Sequence, residues 1–247
     1  MSGKKVKILK TIVWGVLGLV GLLVLGFFLY VSDYERANAR ALTGLKSTDS
    51  VRVIDTKDSL IFQPRQATDT GLLFYPGGKV EPEAYSRLMH DLAEEGIKVI
   101  VVKMPFNLAM FDIKAGDRVL EDHKDITTWY MAGHSLGGVF ATEYLKDKSE
   151  AFEGMIYLAS YPSSDLSGTN LRVLSLTGER DGVLKQGAYQ SAKDLLPKDT
   201  EYLEIIGGNH SQFGDYGLQK KDLKASISPK DQQDQVIQAI LNLMSNK

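Results

Sequence analysis

Three residue types that together perform nucleophilic acyl chemistry recur at widely separated points of this chain: Ser135, Asp181 and His210. Ser135 stands in Gly133-His134-Ser135-Leu136-Gly137, a G-x-S-x-G sequence. A serine hydroxyl is a weak nucleophile until a histidine accepts its proton, and the histidine in turn needs a carboxylate to orient it. His210 lies in a glycine-rich stretch, Ile206-Gly207-Gly208-Asn209-His210, and Asp181 follows Thr177-Gly178-Glu179-Arg180. Glu179 is the rival to Asp181 as the orienting acid. The other histidines invite plainer readings: His134 as packing beneath the serine, His90 and His123 as ordinary surface residues.

Each of these residues needs an element to present it. Short β-branched runs alternate with amphipathic stretches, the pattern of an α/β protein. Strands are expected near residues 51–54, 60–62, 72–75, 98–102, 128–132, 155–159, 172–176 and 202–206. Helices are expected after Pro82 and over residues 115–124, 139–146, 185–195 and 232–244. A mostly parallel, doubly wound sheet with an opening antiparallel hairpin fits these eight strands, and such sheets bind ligands beyond the carboxyl ends of their strands. Ser135, Asp181 and His210 each follow a predicted strand, and the chain order Ser, Asp, His is the one expected for this type of sheet.

The motifs FYPGG (residues 74–78), GHSLGG (133–138), TGERDG (177–182) and GGNHSQFGDYG (207–217) resemble those of the α/β-hydrolase superfamily. More narrowly, the chain is similar to compact bacterial α/β-hydrolase-fold proteins with an N-terminal membrane segment. The resemblance runs from residue 51 to the C-terminus and implies an eight-stranded sheet, an acyl-enzyme mechanism and no cofactor. It implies no particular substrate, because the fold hosts many activities. On this reading the oxyanion hole uses the backbone N–H of Leu136 and a second donor from the loop after the third strand. Gly78 is the choice there, with Gly77 and Lys79 as its neighbours, since glycine permits close backbone approach.

The first 31 residues are of another kind. Residues 11–31 carry no charge, and Lys4, Lys5, Lys7 and Lys10 precede them without a single acid. At about 1.5 Å per residue that run reaches roughly 31 Å, the thickness of a bilayer's hydrocarbon core. Trp14 and Tyr30 stand near its ends, where aromatic rings favour the interface. The expected organisation is a basic cytoplasmic tail (1–10), a transmembrane anchor (11–31), a stalk (32–50) and the α/β domain (51–247). The lysines place the N-terminus in the cytoplasm and the domain outside the cell membrane. The competing reading is a signal peptide cleaved near Ala37-Asn38-Ala39.

Outside that segment, 25 basic residues face 31 acidic ones, which argues against nucleic acid as a partner. The chain has no cysteine, which excludes disulfides, thiolate metal sites and thiol catalysis, and its four scattered histidines leave little for a metal. The expected partner is a small or envelope-borne ester, with no metal and no cofactor; hydrolysis, acyl transfer and a non-catalytic binding role remain open. Only eleven residues (160–170) separate the sixth and seventh strands, too few for a helical lid, so an open cleft and short or polar acyl groups are expected.

Overall fold

The computed structural model describes residues 3–245 and separates into two units, Met1–Tyr34 and Glu35–Lys247. The first is one helix, α1 (Gly3–Ser32). Its stretch Leu9–Ser32 is long and apolar enough to cross a membrane, and Leu17, Leu22, Leu25 and Leu29 are all exposed. A helix apolar on every side suits a span better than a water-facing surface.

The second unit is built on an eight-stranded sheet of order β1-β2-β4-β3-β5-β6-β7-β8. These strands are Val51–Asp55, Ser59–Pro64, Thr70–Tyr75, Lys98–Val102, Thr128–His134, Gly154–Leu158, Arg172–Gly178 and Glu201–Ile205, numbered along the chain. β1 pairs with β2, and β2 with β4, antiparallel; every other pair is parallel. Parallel strands are covered on both faces, so β4 is buried throughout and reads as an unbroken apolar run behind Lys98. The Lys98 ammonium, itself buried, pairs with Asp125 at 3.0 Å.

Side chains alternate across the sheet and form two cores. Leu72, Phe74, Val99, Ile156 and Leu174 pack on one face with Leu88, Leu92, Val236 and Ile240, which come from α3 (Ser86–Glu94) and α7 (Pro229–Ser245). Leu73, Ile100, Met131, Met155 and Val173 pack on the other with Val119, Ala141 and Leu145, from α4 (Ala115–Asp122) and α5 (Leu136–Leu145). α6 (Gln186–Ser191) continues into a 3-10 turn, Ala192–Leu195, between β7 and β8.

Two expectations need correcting. From Glu35 onward, the segment expected to be a stalk belongs to the folded unit. Helix α2 (Ala39–Thr43) is capped by Asn38, whose Oδ1 accepts the N–H groups of Arg40 and Ala41, and Ala41 is fully buried. Small and polar residues suggested a linker, but here they serve as a cap and as a close-packing contact. His90 is also no surface residue: it is 1% exposed, on the buried face of α3.

Candidate active site

The strand-to-helix turn between β5 and α5 places Ser135 at φ 51°, ψ −124°, a left-handed conformation that costs a non-glycine residue about 1–3 kcal/mol. Two hydrogen bonds hold it there. Ser135 N–H donates to the Leu158 carbonyl at 2.9 Å, and the Ser160 hydroxyl donates to the Ser135 carbonyl at 2.6 Å. The flanking glycines are required by space. A Cβ on Gly137 would lie 2.2 Å from the Tyr75 carbonyl oxygen, and one on Gly133 would lie 2.5 Å from the Gly138 backbone.

His210 follows β8, and its Nδ1 lies 2.8 Å from Asp181 Oδ2. Their side chains are 1% and 0% exposed. A carboxylate only accepts, so Nδ1–H donates to it, which in a neutral imidazole leaves the lone pair on Nε2. The second oxygen of Asp181 accepts the N–H groups of Val183 and Leu184, each at 2.8 Å. Glu179, the rival, is turned elsewhere and accepts the Gly207 N–H at 2.7 Å. The structure thus brings Asp181 and His210 together and leaves Glu179 apart. Nε2 of His210 is buried and makes no hydrogen bond, so Ser135 Oγ is not yet bonded to it. Such bonds often tighten only when substrate binds.

Residues 77–79 follow β3 and have distinct fates. Gly77 N–H donates to the Tyr85 hydroxyl at 3.0 Å, and Lys79 N–H to the Asn107 carbonyl at 2.7 Å. Among the described residues, Gly78 N–H has no acceptor. A Cβ on Gly78 would come within 2.7 Å of the Leu136 side chain, so the two stand side by side. Leu136 opens α5, where the first N–H groups have no partner inside the helix.

Several supporting residues were not singled out from sequence. Tyr85 hydroxyl lies 2.8 Å from His134 Nδ1 and accepts Gly77 N–H, so one phenol ties the β3 loop to the serine turn. The His134 ring stands 4.6 Å from that of His210, centroid to centroid. Burial and the neighbouring His210 hold His134 well below the usual histidine range, and burial pushes the Tyr85 phenol well up. Both are therefore neutral near pH 7.

The histidine loop is pinned from a distance. Asp222 Oδ2 accepts Ser211 N–H at 2.8 Å and its hydroxyl at 2.6 Å, while Oδ1 accepts Gly182 N–H at 3.0 Å. Gln232 closes a pair of bonds with the Asn209 backbone. Phe213 and Tyr216 are buried and serve as packing, whereas Phe106 is 44% exposed on the loop after β4. Among the described residues, His90, Asp91 and Glu94 could gather around a metal, but Asp91 is already paired with Arg87 on the same helix.

The loop after β6 is held down, not raised as a lid. Ser163 and Ser164 hydroxyls both donate to Glu143 Oε1 on α5, at 2.8 and 2.6 Å, and Leu166 is fully buried.

The fold has counterparts among solved structures. Carboxylesterase CesB (YbfK) from Bacillus subtilis superposes with a TM-score of 0.59 at 12% identity, covering 90% of this chain and 98% of its own. Est1E from Butyrivibrio proteoclasticus, with ferulic acid bound, gives 0.58 at 13% identity over 81% of this chain and 98% of its own. A protein described as a predicted CIB-like hydrolase from Thermoplasma acidophilum gives 0.55 at 13% identity over 78% and 97%. At these identities the likeness is one of fold. No curated protein matches the sequence. The sequence model of the alpha/beta hydrolase family matches residues 71–234, from β3 through the serine turn and the Asp181–His210 pair into α7. With the family's sheet, its strand-end loops and its sequence pattern all present, the chain belongs to the alpha/beta hydrolase family.

Proposed function

We propose that the protein is a membrane-anchored serine hydrolase that cleaves carboxylic ester-like bonds through an acyl-enzyme on Ser135. The observation that carries this reading is the buried Asp181–His210 pair with Nε2 unbonded, together with a serine held at positive φ directly after His134, whose ring stands 4.6 Å from that of His210. Neither a strained serine nor a buried, oriented imidazole is needed to stabilise this fold.

In the reaction, His210 Nε2 takes the Ser135 proton as Oγ attacks the acyl carbonyl. The tetrahedral oxyanion is held by the N–H groups of Leu136 and Gly78. The intermediate collapses, the ester C–O bond breaks, and the imidazolium returns its proton to the leaving alkoxide. Water then attacks the acyl-enzyme with the same histidine as base, releasing the acid and restoring Ser135. Asp181 orients the ring and balances its transient charge.

Residues 11–31 anchor the protein in the cell membrane, with the N-terminus cytoplasmic and the catalytic domain outside. The substrate is a small or envelope-borne ester with a short or polar acyl group. The short loop between β6 and β7, tied to α5, supports an open cleft of that kind.

The deciding experiment is reaction of the folded protein with a fluorophosphonate probe, followed by peptide mass spectrometry. An adduct on Ser135, absent in Ser135→Ala, is the expected result. Folded protein that leaves Ser135 unmodified would refute the mechanism.

A further inference from the structure

The segment 35–40, which enters the domain ahead of the sheet, is bonded to both loops that the proposed reaction depends on. Glu35 N–H donates to the Lys79 carbonyl at 2.8 Å, and Glu35 accepts the Glu81 N–H at 2.9 Å. Glu35 thereby forms a parallel bridge with Val80. Two residues on, Ala37 N–H donates to Glu81 Oε2 at 2.8 Å. These bonds fix the exit of the loop that carries Gly78.

The same segment then turns to the histidine loop. Asn38 N–H donates to the Asp215 carbonyl at 2.8 Å, and the Arg40 guanidinium pairs with the Asp215 carboxylate. Asp215 is 1% exposed at its side chain, while Arg40 retains 29%. Arg40 Nη1 also donates to Gln233 Oε1 at 2.7 Å, and Gln233 Nε2 returns to Asp215 Oδ2 and to the Gln212 carbonyl, both at 3.2 Å. Asp215 N–H donates to the Ala84 carbonyl at 2.7 Å, one residue before Tyr85. Six consecutive residues thus connect the Gly78 loop to the His210 loop, two parts of the site that lie about 130 residues apart in sequence.

We propose that residues 35–40 act as a positioning strap for the active site, with Arg40 as its positioning residue through Asp215. The inference rests on the serine-hydrolase reading. Arg40 touches no reacting atom. It sets the distance between His210 and the oxyanion donors, and so acts on the chemical step. An ion pair with one side nearly dry is also costly to break, because the buried Asp215 is then left uncompensated.

That cost complicates a single substitution, so the test uses three full-length variants: Arg40→Lys, Arg40→Ala, and Arg40→Ala with Asp215→Asn. The double variant removes the unpaired charge and restores stability without restoring the strap. Each is melted, labelled at Ser135 with the fluorophosphonate, and assayed on a short nitrophenyl ester. We expect Arg40→Ala to lower kcat and the labelling rate about ten- to hundredfold with KM unchanged, the scale of a misplacement near 1 Å. Arg40→Lys recovers part of that loss. The double variant melts close to wild type yet keeps the low kcat. A double variant that regains wild-type kcat together with its melting temperature would overturn the strap and leave Arg40 a purely structural residue. Wild-type protein that fails to label would instead overturn the hydrolase reading itself.

Discussion

The serine turn and the histidine loop present their residues on the same side of one sheet, but they are held by opposite means. At the serine turn the constraints are mostly backbone, with the Ser160 hydroxyl on the Ser135 carbonyl as the side-chain addition. Ser135 donates to Leu158 on the neighbouring strand, and Gly133 and Gly137 leave room for the chain to cross itself. At the histidine loop the constraints are polar side chains from elsewhere: Asp181 on Nδ1, Asp222 under Ser211, Gln232 on Asn209 and Arg40 on Asp215. The first kind of support shows as a sequence motif, because only glycine fits. The second leaves no motif, because many polar residues in many positions can supply such bonds.

The sharpest probe of the difference is the carboxylate itself. Replacing Asp181 with Asn keeps a side chain of the same shape and lets the ring choose the wrong tautomer, which lowers kcat by about ten-thousandfold. Glu179→Gln, whose acid faces Gly207, leaves kcat within about twofold, since a partly exposed bond contributes little to orientation. Steady-state kinetics on a nitrophenyl ester would check both. A collapse in the Glu179 variant with Asp181→Asn active would reverse the assignment.

On the serine side, Gly137→Ala is the corresponding blow. Its Cβ would press on the Tyr75 and Pro76 carbonyl oxygens at 2.2 and 2.3 Å, atoms of a central strand end that cannot move independently. The expected loss is about 3 kcal/mol or more of stability, seen as a lower urea midpoint. Asp222→Ala tests the other loop. It strips the acceptors from Ser211 and Gly182 and costs about 2–3 kcal/mol, with a fall in kcat as the His210 loop loosens. If Asp222→Ala melts and turns over like wild type, remote polar support is not what holds His210.

These contrasts also explain what was legible beforehand. The inner strands were readable because burial on both faces writes uninterrupted apolar runs such as 98–102, whereas the edge strands β1 and β8 are only partly buried and show as shorter, mixed runs. The strand-end positions of Ser135, Asp181 and His210, the proposed triad, were readable because each follows a predicted strand in a fixed chain order. Gly78 stood out only as part of a Pro-Gly-Gly turn, and the structure separates it from Gly77 and Lys79 by showing that their N–H groups are already used. Arg40 was invisible inside a segment whose alanines and polar residues resemble a stalk. Asp222 was equally hidden in the charged run Lys220-Lys221-Asp222-Leu223-Lys224. Both act through partners more than ten residues away, which no local pattern encodes.

Tyr85 lies between the two regimes, a distant side chain that serves the serine side. Its hydroxyl bonds Gly77 N–H and His134 Nδ1. Tyr85→Phe preserves the ring packing on Phe74 and deletes only those bonds, so about 1–2 kcal/mol of stability should go. The Gly77 N–H is then buried without an acceptor, and the Gly78 donor beside it shifts. A lower kcat at unchanged KM is expected. A variant as stable and active as wild type would show that the glycine turn is self-sufficient.

The smallest effect concerns a charge on the serine side. Glu143 on α5 accepts both Ser163 and Ser164 and pairs with Lys146. Those bonds, the Ser164 hydroxyl foremost, pull its carboxyl from an ordinary 4.5 down to about 2. Because the folded value lies below the unfolded one, the stabilisation is complete above about pH 4.5 and is lost as pH falls towards 2. The side chain keeps 25% of its exposure, so solvent screening holds the contribution to less than about 1 kcal/mol. Glu143→Gln should therefore melt slightly below wild type at pH 7, by about 2–4 °C at most, and the two should converge near pH 2. Melting curves followed by circular dichroism across that range would check it. A constant gap at every pH would mean that the β6–β7 loop is held by shape and by the Ser163 and Ser164 hydroxyls, independently of the Glu143 charge.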